Sequence, residues 1–189
     1  IAYGNASMGG EGFDNGWDKM DYFLDAEVTT DYDYSICIVG DTQVLSAWKK
    51  ESYNAIYEWI IDNYQSKNML AVLGLGDITS TDTEGEWAAA SAAISLLYGK
   101  LPFTLVRGNH DGDEMLNKYF NNEEYKSQFG GFFDENNVNT FWMPFSYGSD
   151  KYIVIGLDFG PTHDELAWAE SIIASNPDHK IIITTHAYM

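Results

Sequence analysis

The chain has 189 residues, the size of one ordinary domain. With 45% hydrophobic and 21% charged residues it is globular in composition, and no apolar run approaches the ~18 residues of a transmembrane helix. Acidic residues number 29 against 10 basic ones, and the formal net charge of -19 repels nucleic-acid backbones and anionic lipid, so no nucleic-acid binding is expected.

Residues 1–33 are rich in Gly, Asn and Asp and read as an irregular lead-in with a short helical turn near residues 17–24. Residues 34–39 form a compact β-branched run before Gly40-Asp41 and read as a buried strand. Tyr53, Ile56, Tyr57, Ile60 and Ile61 recur at helical spacing, which predicts a helix over 50–65. A second buried strand over 69–75 ends in Gly76-Asp77, and Thr83-x-x-Glu86 opens an Ala-rich helix as a capping box. A third strand, 102–106, leads through Arg107 to Gly108-Asn109.

The rhythm then changes. Residues 112–128 read as a helix and 130–139 as a Gly- and Asn-rich loop. Strands over 140–147 and 151–157 flank Gly148-Ser149-Asp150, a hairpin signal. Thr162-x-x-Glu165 is a second capping box, opening a helix to about residue 175, and 180–185 is the last strand. Strands alternating with helices imply crossovers and a largely parallel sheet covered on both faces. The single cysteine, Cys37, lies inside the first strand as a buried small hydrophobe, which excludes an internal disulfide framework.

Three strands end alike, in Gly40-Asp41, Gly76-Asp77 and Gly108-Asn109, and a fourth ends in His186. Ligands of open α/β sheets sit beyond the carboxyl ends of the strands, where these four groups would converge. Asp, Asn and His are hard to borderline metal ligands, and glycine allows the tight turns that aim them.

The ordered set Asp41-Thr42-Gln43, Gly76-Asp77, Gly108-Asn109-His110-Asp111 and His186 resembles the calcineurin-like metallophosphoesterase family, with its D-x-H, G-D, G-N-H-[DE], H and G-H-x-H signature. The resemblance implies an α/β fold, a β-sandwich flanked by helices (αββα), over residues 34–189, incomplete at its C-terminal end. It implies two metal ions, Mn, Fe or Zn, clamping a small phosphorylated substrate while an activated water attacks phosphorus in line. Asp77 would bridge the metals, with Asp41 and Gln43 on the first and Asn109 and His186 on the second. His110 would meet the phosphate or protonate the leaving oxygen, and Asp111 would hydrogen-bond the His110 ring and set its tautomer.

Two departures stand out. Gln43 occupies the usual place of a histidine, and no Gly-His-x-His follows His186 before the chain stops. The chain also opens on Ile1, so we expect a piece of a longer multidomain chain, from a bacterial secreted or cell-envelope protein on its low Arg and high acidity. Arg107 is a candidate for a substrate phosphate or for a strand-end ion pair, and His163 for lining the cleft. The alternative to a phosphoesterase is a non-catalytic or weakly active binding or accessory module that keeps the fold. A serine or cysteine hydrolase lacks support, because there is no Gly-x-Ser-x-Gly elbow and Cys37 is inside a strand.

Overall fold

The protein is described from a computed structural model over residues 32–187. The expected lead-in of residues 1–33, with its helical turn near 17–24, lies outside the described residues apart from its last two positions.

In chain order the elements are β1 (Ser35–Val39), α1 (Gln43–Trp48), α2 (Lys50–Asn63), β2 (Met69–Gly74), α3 (Glu84–Ile94), β3 (Phe103–Leu105), α4 (Asp113–Phe120), α5 (Glu123–Lys126), β4 (Gly131–Phe132), β5 (Phe141–Tyr147), β6 (Asp150–Gly156), α6 (His163–Ser175) and β7 (Lys180–Thr184). They make two sheets, one ordered β1-β2-β3 and one ordered β4-β5-β6-β7. The first sheet is parallel throughout. The second is mixed, with β5 antiparallel to β4 and β6, and β7 parallel to β6.

The single, largely parallel sheet expected from strand–helix alternation is therefore corrected to two. After β3 the chain leaves the first sheet, and the turn at Gly148 (φ 57°) sends β5 straight back into β6 as an antiparallel hairpin before the α6 crossover returns it to β7, parallel to β6. The sandwich with flanking helices is the observed architecture.

Side-chain alternation builds its layers. On one face of the first sheet, Val72, Phe103 and Leu105 pack with Tyr53, Tyr57, Ile60, Trp87, Ile94, Leu116 and Phe120 from the helices. On its other face, Ala71 and Leu73 meet Met143 and Val154 of the second sheet, with Ile36 and Ile182 beside them. The outer face of the second sheet places Ile153 and Ile155 against Ala169, Trp168, Ile172 and Ile173 of α6. The order is helices, sheet, sheet, helix. Cys37 is half-buried against the first of these clusters, and burial raises its thiol pKa.

Both capping boxes form. Glu86 reaches back to the Thr83 amide, and Glu165 to the Thr162 amide at 2.8 Å. The helix expected over 112–128 is two, because Asn122 is extended and caps α5 through the Tyr125 amide at 2.9 Å. α1 and β4 were not expected. α1 has six residues and no side-chain cap bond, and β4 has only two residues.

Candidate metal centre

β1, β2 and β3 run parallel, so their following loops lie along one edge. The loop after β7 comes to the same place, since the His186 Nδ1 lies 2.8 Å from the Leu75 carbonyl.

Asp41 and Asp77 each follow a glycine and each adopt a left-handed backbone, φ 53° and 51°. This conformation is uncommon for a residue with a Cβ, and Asp tolerates it better than most. The turn also brings the Asp41 amide within 3.1 Å of the Gly76 carbonyl, locking the two loops together. One ligand atom each from Asp41, Asp77 and His186 lies within 4.8 Å of the others. Gly76 and Gly108 permit this approach. A Cβ on Gly76 (φ 90°) would come within 2.9 Å of His186 Nδ1, and one on Gly108 would overlap the Asp77 amide and Oδ1.

Asp77 is only 5% exposed. Its Oδ2 accepts from Gln43 Nε2 at 3.0 Å, and its Oδ1 from the His110 amide at 3.1 Å. A carbonyl only accepts, so His186 Nδ1 carries a proton for Leu75 and Nε2 is the nitrogen left for other partners. That Nε2 faces Asn109 Oδ1 at 3.1 Å and Asp77 Oδ1 at 3.4 Å. Nε2, Asn109 Oδ1 and Asp77 Oδ1 thus converge as three groups able to hold a cation.

The donor set fits a metal. Two ligands on a cation with bonds of about 2.1 Å stand about 3.0 Å apart at a right angle and about 3.4 Å at the tetrahedral angle. The separations of 3.1 and 3.4 Å from His186 Nε2 to Asn109 Oδ1 and Asp77 Oδ1 match these spacings. Gln43 adds a further sign, because its Oε1 is buried and has no hydrogen-bond partner.

His110 is exposed beside this cluster, and its Nδ1 lies 2.8 Å from the Ser80 carbonyl. The expected Asp111–His110 bond is corrected. Asp111, 2% exposed, accepts from the Ile78 amide at 3.0 Å, the Gly108 amide at 2.9 Å, and the Thr79 amide and hydroxyl at 2.8 and 2.9 Å. These four donors occupy both carboxylate oxygens, so Asp111 ties the Asp77 loop to the Asn109 loop, and a backbone carbonyl orients the His110 ring instead.

Arg107 takes the ion-pair alternative. Its Nε and Nη2 donate to the two oxygens of Asp158 at 2.7 and 3.1 Å, and its Nη1 to the Asp111 carbonyl at 3.3 Å. The bond to Asp158 raises the guanidinium pKa further, against a smaller downward effect of burial. These bonds tie Arg107 to Asp158 and to the backbone of the loop that carries Asn109 and His110. His163, first in α6, is exposed, and no hydrogen bond, ion pair or ring contact among the described residues joins it to the cluster.

Three participants escaped the sequence reading: the Leu75 and Ser80 carbonyls and the Phe159 ring, 6.0 Å from the His186 ring centre. Backbone carbonyls leave no signal in residue identity, and Phe159 stands between the strand over 151–157 and the capping box at Thr162, where no motif marks it.

Comparison with known proteins agrees with this geometry. The sequence model of the calcineurin-like phosphoesterase family matches residues 34–189. The chain is 28% identical over 186 residues to the uncharacterized protein YvnB of Bacillus subtilis, covering 90% of this chain and 14% of that protein. It is 30% identical over 163 residues to a protein of Arcobacter nitrofigilis named probable glycerophosphodiester phosphodiesterase GpdQ, covering 78% of this chain and 55% of GpdQ. The chain belongs to the calcineurin-like phosphoesterase family.

Proposed function

We propose that the domain hydrolyses phosphoric esters with two metal ions held by Asp41, Gln43, Asp77, Asn109 and His186. The observation that carries this reading is the convergence of Asp41, Asp77 and His186 donor atoms within 4.8 Å. Bound there, the cations would polarise a phosphoryl oxygen and lower the pKa of water.

The residues of the chain divide the remaining work. Asp77, its oxygens 3.0 and 3.1 Å from Gln43 Nε2 and the His110 amide, is held where a carboxylate can serve both cations. Leu75 orients His186 so that its bare Nε2 faces inward. The Ser80 carbonyl takes the Nδ1–H of His110, which leaves Nε2 as the nitrogen that meets the substrate. As an imidazolium it donates to a phosphoryl oxygen or passes its proton to the leaving alcohol. Asp111 keeps the loops carrying Asp77 and His110 in register.

A substrate with a small body suits a chain of net charge -19, and the likeness to the Arcobacter protein named probable glycerophosphodiester phosphodiesterase favours a phosphodiester. The test is hydrolysis of bis-p-nitrophenyl phosphate and p-nitrophenyl phosphate by the full-length protein, with Mn²⁺ or with EDTA, alongside His110→Ala and Asp77→Asn. We expect metal-dependent turnover, faster on the diester, that falls about 10²–10⁴-fold in His110→Ala. Turnover unaffected by EDTA or by Asp77→Asn would refute the reading. No turnover with Mn²⁺, Zn²⁺ or Fe²⁺ would instead support the accessory module.

A further inference from the structure

The loop that follows Asp77 runs beside the segment that carries His110. The Ser80 carbonyl lies 2.8 Å from His110 Nδ1, and Asp82 Oδ1 accepts from the Gly112 amide at 2.7 Å. The same Asp82 oxygen accepts from Trp87 Nε1 at 2.7 Å. Trp87 is fully buried, its indole stacked with the Tyr119 ring and edge-on to Phe120. A series of contacts thus runs from the helical core to the histidine beside the metal centre.

The loop is anchored at both ends. Thr79 fastens its start to Asp111, and Asp82 fastens its far end to Gly112, with Ser80 held between them. Asp82 also has a left-handed backbone, φ 55°, as Asp41 and Asp77 do. That conformation in a residue with a Cβ persists where surrounding bonds enforce it. The carboxylate packs so closely on Gly112 that a Cβ there would overlap it.

We propose that Asp82 is a positioning residue for the reaction: it keeps the Ser80 carbonyl on His110 Nδ1 and so keeps His110 Nε2 turned to the substrate. The proposal rests on the role given to His110 above. Asp82 acts through Ser80 and Gly112.

The test is a double-mutant cycle on the full-length protein with Mn²⁺ and bis-p-nitrophenyl phosphate. Glycine suits φ 55°, so Asp82→Gly removes the carboxylate without straining the turn. It should lower kcat about 10–100-fold at nearly unchanged KM. Gly112→Ala, whose methyl displaces the carboxylate from the other side, should do the same. Asp82→Asn, which keeps an acceptor oxygen, should retain wild-type kcat within about threefold. In a His110→Ala background Asp82→Gly should change kcat by less than about twofold.

Heteronuclear NMR of the metal-free protein supplies a readout independent of turnover. The neutral His110 ring, assigned among the four histidines by its loss in His110→Ala, should carry its proton on Nδ1 in wild type and in Asp82→Asn. In Asp82→Gly the proton should divide between the two nitrogens. Circular dichroism checks that the variants are folded. An equal loss of kcat in both backgrounds, or an Nδ1 proton fully retained in Asp82→Gly, would overturn the proposal and leave the phosphoesterase reading standing. Full activity in His110→Ala would remove the role of His110 and the proposal with it, and absence of metal-dependent turnover in wild type would overturn the phosphoesterase reading as well.

Discussion

Asp111→Asn is the substitution that best separates the role expected of this residue from the one observed. In the structure four donors converge on its carboxylate, with Thr79 N and Oγ1 on Oδ1 and Ile78 N and Gly108 N on Oδ2. Asparagine has one acceptor atom. In its better orientation the amide nitrogen replaces Oδ1, the Thr79 hydroxyl turns to accept, and the Thr79 amide is left facing a donor. One buried N–H is then unpaired and two bonds lose their charge assistance, which together cost about 2–4 kcal/mol. That is a large part of the ~5–15 kcal/mol typical of a whole domain. Urea unfolding followed by tryptophan fluorescence should show a lower midpoint with an unchanged slope, and Asp111→Ala, which strands all four donors, should be worse. A loss below about 0.5 kcal/mol, with an altered pH–rate profile, would refute the loop-tying role and restore direct polarisation of His110.

Other expectations follow from single contacts. Gly108→Ala should weaken metal binding by about tenfold or more, measured by calorimetry, because the new methyl overlaps Asp77 Oδ1 and its amide. Tyr125→Phe should lower stability in denaturant by about 1–3 kcal/mol, since the fully buried hydroxyl accepts from the Leu105 amide at 3.0 Å. Burial pushes the Glu86 pKa up, but bonds from the Thr81 amide and hydroxyl and the Thr83 amide outweigh it and hold the pKa below the ordinary carboxylate value. Its contribution is therefore present above about pH 4.3 and is lost as the pH falls through the folded pKa. Glu86→Gln should thus melt lower than wild type at pH 7 and approach it at pH 3.

The strand-end candidates are legible because each is a polar residue one to three positions beyond an apolar run, a contrast that a sequence displays without help. Asp41, Asp77, Asn109 and His186 all fall in that class, and the structure brings them to one edge. Asp111 was not legible in its true role, since its partners are mostly amide groups 32 and 33 residues away that look alike whatever side chain they carry. Arg107 posed the same difficulty in another form, with Asp158 51 residues distant. Periodicity found the helices long enough to repeat it. It missed α1, whose six residues are held in part by Ser46 Oγ on the Ile78 carbonyl at 2.7 Å, a tertiary contact. It also ran through the break at Asn122, where one extended residue decides. The hairpin was legible, but its consequence, a second sheet, follows from where the chain goes next.

The left-handed turns at Asp41 and Asp77 bear on the order in which the protein matures. Here the backbone aims the carboxylates, and the sandwich core that enforces those turns contains no metal ligand. On the two-metal proposal, ions would meet carboxylates that the backbone already aims, the reverse of domains in which the ion organises the chain, and metal content would follow the ions that surround the folded chain as much as the affinity of its ligands.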